Sequence, residues 1–382
     1  MTGSITRRGK RSWRLKFDLP PDTNGQRSTR YVTVRGTRAD AERELTRLLA
    51  ARDGGTLVDP SQTTVAEYLR TWLAQDQDLS GKTRERYREL AEQQIIPHLG
   101  SVALQRLRPS AVQNWHTTLL GSGGRRGRPL SARTVGHAHR LLRRALQRAV
   151  QREELARNVA GAVSPPKVEA HEVEILDAGQ VASVIKKLQG HDLRPIVAMA
   201  LATGMRRGEL LGLQLGDLDL DAGLLRVERS LEETKSGLRF KPPKSKAGRR
   251  TISLPSSTVV MLRDHRRRLL ETRLLLGLGK PNDETLLFGN LDGTPRRPSS
   301  LTAAWRWACK SLDLPKVSFH ALRHTHASAL IAAKLDVVQI SKRLGHANPT
   351  ITLNVYSHLF AATDAAAAAA IEALMGGTMD EQ

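Results

Sequence analysis

Four side chains in the last fifth of the chain could do chemistry together. The stretch Ser318–Leu359, SFHALRHTHASALIAAKLDVVQISKRLGHANPTITLNVYSHL, holds His320, Arg323, His346 and Tyr356. Imidazoles move protons, a guanidinium holds paired phosphate oxygens, and a phenol can act as a nucleophile. That combination suits phosphoryl transfer. Taken singly, each histidine is more commonly a surface residue or a hydrogen-bonded core residue, and a single tyrosine usually packs.

The residues around them must do the positioning, and they read as three helices. The first starts from Ser318 as a cap and carries Phe319, Leu322, Ala329, Leu330 and Ala333 on one side. The second follows Asp336 with Val337, Val338, Ile340 and Leu344, and Gly345 ends it. The third opens at Asn348-Pro349 and holds Ile351, Val355, Tyr356 and Leu359. His320 and Arg323 are three apart and share a face. His346, just past Gly345, sits where its ring can turn toward that face. The same span also fits a helix-turn-helix with Ile340, Leu344 and Ile351 as its small core, which is the reading of a non-catalytic DNA-binding regulator.

Composition narrows the partners. The 382 residues allow two or three domains, and 60 Lys and Arg against 38 Asp and Glu leave a formal charge of +22. The basic residues are scattered through ordinary apolar periodicity, so this is a folded protein that needs a polyanion. No amphipathic anchor is evident, which favours nucleic acid over a membrane. The single cysteine, Cys309, excludes an internal disulfide and a cysteine-cluster zinc site; beside Trp305 and Trp307 it reads as a small buried hydrophobe. The opening MTGSITRRGKRSW has no apolar core and no run approaches membrane-spanning length. A cytoplasmic, nucleoid-associated protein is expected.

The fold class expected is multidomain α+β. Residues 1–57 read as a small three-stranded sheet plus a helix: Ser4 to Arg7, Ser12 to Leu19 and Thr29 to Val34, then Thr37 or Asp40 to Ala51. Trp13, Leu15 and Phe17 share one face, and Arg7, Arg8, Lys10, Arg11, Arg14 and Lys16 make this unit a candidate to lie against DNA. Residues 62–160 read as all-helical, with caps at Thr64, Ser80 or Thr83, Pro109-Ser110 and Ser131. Its last helix sets Arg133, Arg140, Arg143, Arg144 and Arg148 opposite Leu141, Leu142, Leu146 and Val150. Residues 175–362 read as mainly helical with a small antiparallel sheet from GLLRVERS, LRFKPP and RRTISL, with SKAG turning between the last two. Residues 363–382 form an alanine-rich tail helix, either frayed or docking Ile371 and Leu374 on a neighbouring subunit.

With these pieces in place, the sequence resembles the tyrosine recombinases of the phage-integrase family. ATGMRRGELL resembles the family's first arginine box, FHALRHT its His-x-x-Arg box, LGHANPTIT its second-histidine box, and NVYSH its tyrosine box. Their order and approximate spacing agree over Leu176–Leu359. The helical unit resembles the family's core-binding (SAM-like) domain, and the N-terminal strands an arm-type DNA-binding domain.

The resemblance implies a site-specific DNA recombinase, the integrase of a phage or mobile element, with a 3′-phosphotyrosyl intermediate at Tyr356 and neither metal, cofactor nor ATP. Arg206 and Arg323 would clamp the non-bridging oxygens, with His346 adding a hydrogen bond. Lys244, with Lys246 in reserve, would protonate the leaving oxygen, and His320 would help move the tyrosine's proton. Arg207, Arg249 and Arg250 are expected to be ordinary phosphate or surface contacts, and Glu209 and Asp217 to give structural support. The partners implied are double-stranded DNA at attachment sites, a homotetramer on that DNA, and as accessory proteins a DNA-bending host factor and a directionality factor; no membrane is involved. A type IB topoisomerase-like relaxing enzyme is the chemical rival, and the helix-turn-helix regulator the non-catalytic one.

Overall fold

The computed structural model describes residues 3–20, 25–26, 28–76, 79–169, 174–243, 246–360, 368–369, 371–373 and 375. The chain divides into two compact units, Met1–Ala170 and His171–Gln382.

The first unit opens with an antiparallel sheet, β1 (Ser4–Gly9), β2 (Ser12–Asp18) and β3 (Thr29–Arg35), followed by α1 (Arg38–Asp53). Alternation along β2 turns Leu15 and Phe17 inward, at 0% and 1% exposure, onto Ala41, Leu45 and Leu48 of α1. Burying each such side chain is worth roughly 1.5 to 3 kcal/mol. Thr37 starts α1 through a capping box with Asp40, whose carboxyl is pulled down to about 2 chiefly by the Thr37 hydroxyl.

Five helices follow with their own core: α2 (Val65–Gln75), α3 (Gly81–Leu90), α4 (Ile96–Leu99), α5 (Pro109–Ser122) and α6 (Ala132–Gln151). Side chains of Thr64, Ser80 and Ser131 cap α2, α3 and α6. Between α3 and α4, Ala91–Ile95 widens into a π turn. Pro97, which has no N–H to give and crowds the carbonyl four residues back, explains the widening. The arginine-bearing α6 buries Leu141, Leu142 and Leu146 as its periodicity requires, and it ends at Gln151.

The second unit contains α7 (Ala178–Lys187), α8 (Arg194–Thr203), α9 (Arg207–Leu211), β4 (Leu218–Asp219), β5 (Leu224–Val227), β6 (Ser230–Thr234), β7 (Gly237–Lys241), β8 (Arg250–Ser253), α10 (Ser256–Leu275), α11 (Pro298–Ser311), α12 (Ala321–Ala332), α13 (Val337–Leu344) and α14 (Pro349–Tyr356). The strand pairing differs from the sequence expectation. GLLRVERS is not one strand: it breaks after Val227, and β6 begins at Ser230. β7 pairs with β6, whereas β8 pairs with β5 in the order β4-β5-β8. The SKAG segment therefore links strands of two different sheets. β6 and β7 thus form a hairpin that was not expected, with Glu232 on β6 paired across it to Arg239 and Lys241 on β7.

Two helix faces also differ. The first turn of α12 begins at Ala321, with Ser318 Oγ accepting from the Ala321 N–H at 3.2 Å. Ala329 and Ala333, expected inward, are exposed, because α12 buries Arg323, Thr325 and His326 instead. On α14, Ile351 is 39% exposed and Thr352 is fully buried, so the three-residue core of the helix-turn-helix reading does not form. Cys309 is buried on α11, whereas Trp307 is 64% exposed. The tail expected over 363–382 falls almost wholly outside the described residues, Leu374 among them; Ile371 is exposed. Among the described residues, no helix is long and apolar enough to cross a membrane.

Candidate functional site

The site is assembled at the C-terminal end of α13. A helix's last carbonyls have no intrahelical donor and carry the negative end of its dipole. Gly345, at φ 69°, closes the helix in the left-handed region, and the His346 N–H returns to the Ser341 carbonyl at 3.0 Å. The carbonyls left over go to three arginines in succession. Arg250 Nε donates to Arg343 O at 2.7 Å, Arg323 Nη2 to Leu344 O at 2.9 Å, and Arg206 Nη2 to Gly345 O at 3.2 Å. Each guanidinium comes from a different element, and α13 sets their spacing.

Arg206 reaches this place through a break in the backbone. α8 ends at Gly204, which adopts φ 63°; a Cβ there would lie 2.6 Å from His326 and 2.8 Å from Leu344. Arg206 then caps α9, with its backbone N–H and its Nη1 both donating to Glu209, at 3.0 and 2.8 Å. Glu209 is 2% exposed and also accepts from Arg250 Nη2 at 3.0 Å. Burial by itself would raise this carboxyl; Arg250, Arg206 and the backbone N–H outweigh it and hold the carboxyl below its ordinary value. Asp217 supports the next turn by accepting from Gln214 N–H and Arg229.

Arg323 is 3% exposed, with its other arm, Nη1, donating to Gly204 O at 2.7 Å. Burial, then the nearby Arg206, push it down to about 9, so it remains a cation at neutral pH. His346 is half-buried and its Nδ1 pairs with Thr352 Oγ1 at 2.8 Å. Loss of hydration and the cations Arg323 and Arg206 lower His346 to about 4, so its ring is neutral. His320, on the exposed rim before α12, is likewise lowered to about 4 by the protein packed around it, His324 and Arg323.

Tyr356 is 2% exposed, packed among Ala327, Ile331, Ile340 and Leu344, and burial raises its phenol to about 12. Its hydroxyl is not isolated: it lies 2.6 Å from His324 Nδ1. The structure therefore brings Arg206, Arg323, His346 and Tyr356 into one neighbourhood, with His320 edge-on to His324 at 4.8 Å. Lys244 lies outside the described residues, and Lys246 opens a short 3-10 turn, Lys246–Gly248.

One expectation is corrected outright. Arg250 is no surface contact: its side chain is 7% exposed and bonded to Glu209, Arg343 O and Gly248 O. Arg207 is half-buried against Thr302, and Arg249 stays exposed opposite Glu228. Sequence reasoning also passed over His324, His326 and Thr352. For His324 the signal was present, since it lies four residues after His320 on the same helical face. His326 gives Nδ1–H to Leu201 O at 2.7 Å, which leaves Nε2 to accept from Arg343 at 3.2 Å; this fixes a neutral tautomer that braces α8 against α13. Among the described residues, no three His, Cys, Asp or Glu side chains group closely enough to hold a metal ion.

Residues 174–363 match the model of the phage integrase family, and residues 64–120 match the phage integrase N-terminal SAM-like domain. The tyrosine recombinase XerC-like protein of Caldanaerobacter subterraneus subsp. tengcongensis is 27% identical over 377 residues, covering 93% of this chain and 94% of its own length. The integrase of Mycobacterium phage L5 is 28% identical over 318 residues, covering 82% of this chain and 80% of its own. The Tn1549 transposon integrase, solved in complex with transposon right end DNA, superposes with a TM-score of 0.65 at 24% identity, over 82% of this chain and 99% of that one.

Proposed function

The chain belongs to the phage integrase family of tyrosine recombinases, and on that footing we propose that Tyr356 is the residue through which it cuts and rejoins DNA. The phenol oxygen attacks a backbone phosphorus, the bond to the 5′ oxygen breaks, and a 3′-phosphotyrosyl link forms. Because the link conserves bond energy, the 5′-hydroxyl of another strand reseals it without ATP. Arg206 and Arg323 clamp the non-bridging oxygens and offset the charge of the transition state. With Thr352 donating to Nδ1, His346 presents Nε2–H to the same phosphate. Lys244, with Lys246 as the alternative, protonates the leaving oxygen, and His320 sits at the rim of the same pocket.

The observation that carries this reading is the meeting of Arg206 and Arg323 on the consecutive carbonyls of Gly345 and Leu344, beside His346. Arg323 is held by carbonyls alone, and the single carboxylate beside Arg206, Glu209, is shared with Arg250, so the group keeps a net positive charge for a phosphate. The phenol lies among apolar side chains with its hydroxyl against His324 Nδ1.

The substrate is duplex DNA carrying attachment sites, and exchange between two duplexes calls for four nucleophiles, hence a homotetramer on DNA. A DNA-bending host factor and a directionality factor fit this scheme as accessory partners. Residues 1–57 act as an arm domain, 62–160 as a core-binding domain and 175–362 as the catalytic domain. On the first of these, Arg14 stacks over Tyr31 at 5.3 Å on the basic sheet, an arrangement suited to a phosphate backbone. The protein works in the cytoplasm at the nucleoid.

A nicked suicide duplex carrying the element's attachment site tests the reading. The wild type should leave a covalent protein–DNA band on a denaturing gel, and Tyr356→Phe should bind DNA without forming it. A regulator would show no band and keep its function in Tyr356→Phe. A topoisomerase would relax plasmid and yield no strand-exchanged product.

A further inference from the structure

The nucleophile's nearest polar neighbour is not a residue of the quoted arginine and histidine set. We propose that His324 is the base that takes the proton of Tyr356, and that His320 is not. This rests on Tyr356 being the nucleophile.

The geometry comes first. His324 Nδ1 and Tyr356 Oη are 2.6 Å apart, which is the length of a short O–H···N bond with the phenol donating. The rings stand edge to face with centroids 5.6 Å apart, so Nδ1 rather than the π face meets the hydroxyl. Tyr356 is 2% exposed, so water is not positioned to take its proton in this arrangement. His320 contacts His324 ring to ring at 4.8 Å and has no bond to the phenol among the described residues.

The charge environment fits an acceptor. The titratable and charged groups around His324 are His320 just before its own helix, Arg323 on that helix, Tyr356 on α14, and His346 on the turn between α13 and α14. Burial, then Arg323, lowers His324 below its ordinary value, so the ring is neutral and able to accept at neutral pH. Arg323, next to it in sequence, stabilises the phenolate as the proton leaves. In the step itself, the Oη–H bond breaks and the proton goes to Nδ1. The Oη–P bond forms, the P–O5′ bond breaks, and the 5′ oxygen takes a proton from the lysine ammonium. Resealing runs the same transfers backwards, with imidazolium returning the proton to the tyrosine.

The test uses the full-length protein on the suicide duplex, with adduct formation followed from pH 5 to 8. His324→Asn keeps an acceptor near the Nδ1 position but cannot hold the proton. It should bind DNA as the wild type does, form adduct roughly 100-fold or more slowly, and lose the acid limb of the pH–rate profile. His320→Asn should keep that limb. A duplex whose leaving 5′ oxygen is replaced by sulfur needs no proton on the leaving group. It should rescue Lys244→Ala and leave His324→Asn slow. Should His324→Asn fail to bind DNA, His324→Ala with added imidazole replaces it, and recovery of adduct with imidazole is the expected result.

The proposal is overturned if His324→Asn cleaves at the wild-type rate, if the limb disappears only in His320→Asn, if the sulfur duplex rescues His324→Asn, or if imidazole restores nothing. A wild type that forms no adduct at all would instead sink the assignment of Tyr356.

Discussion

Arg250 Nη2 lies 3.0 Å from Glu209 Oε2, with the two side chains 7% and 2% exposed. Glu209 in turn holds Arg206, so a buried ion pair outside the phosphate's reach fixes the aim of a guanidinium that should touch it. Removing Arg250 leaves the buried Glu209 with one of its two cations and the Arg343 carbonyl without its donor, at a cost of at most about 3 to 5 kcal/mol. Arg250→Met should therefore lower stability by up to that amount and slow adduct formation, even with DNA affinity preserved. Adding Glu209→Gln should recover part of the stability and none of the cleavage. Urea denaturation and the adduct gel read the two effects separately; full independence of the two substitutions would refute the coupling.

Gly345 is the joint on which Arg206 rests. Alanine at φ 69° costs about 1 to 2 kcal/mol, and its Cβ would stand 2.8 Å from Arg250 Nη1. Gly345→Ala should depress both the denaturation midpoint and the cleavage rate. An active, stable Gly345→Ala protein would contradict the geometry described for the end of α13.

Arg206→Ala and Arg323→Ala should each reduce cleavage by roughly 100- to 1000-fold, the usual loss when one stabiliser of a developing anion is removed. Binding should change far less, since many other cations meet the duplex. Comparing adduct rates with gel-shift affinities checks this. Equal losses in both would count against the clamp.

Tyr356 has a packing role apart from its hydroxyl. Tyr356→Phe keeps the ring and forgoes one hydrogen bond, so its stability should stay within about 1 kcal/mol of wild type. Tyr356→Ala empties a pocket lined by Ala327, Ile331, Ile340 and Leu344 and should cost about 3 to 5 kcal/mol locally. Proteolysis near α14 together with thermal melting distinguishes the two variants.

Acid should destabilise the fold well before carboxylates titrate. His139, His326 and His346 are all lowered to about 4, in each case chiefly by burial. Above about 6.5 these rings are neutral in both folded and unfolded chains, and their contribution is complete. As pH falls from there toward 4, the unfolded chain takes up protons that the folded one refuses, so stability declines and then levels off. Glu209, depressed by its two arginines, adds a loss of the same sign at lower pH. Denaturation midpoints at pH 7.5, 6 and 5 should fall in that order; a flat series would refute the buried neutral rings.

Local signals carried much of the fold. Thr37, Thr64, Ser131, Asp177, Asp336 and Asn348 cap the helices they precede, because a cap depends only on the few residues after it. Gly345 stops α13 for the same local reason. The pairing of β5 with β8 was not legible, since the whole β6–β7 hairpin intervenes between the two strands. Nor was Arg250, one basic residue among 60 Lys and Arg.

The amino-acid order by itself determined the chemical inventory: a basic, nucleic-acid-seeking chain with imidazoles, guanidiniums and a phenol spaced onto short capped helices. Only the tertiary structure decided which arginine is buried, which carbonyl each one meets, and that the phenol rests on His324. Those outcomes depend on contacts such as Arg206 to Gly345, 139 residues apart. Burial and ion pairing at such separations follow from how whole elements pack, which no local spacing encodes.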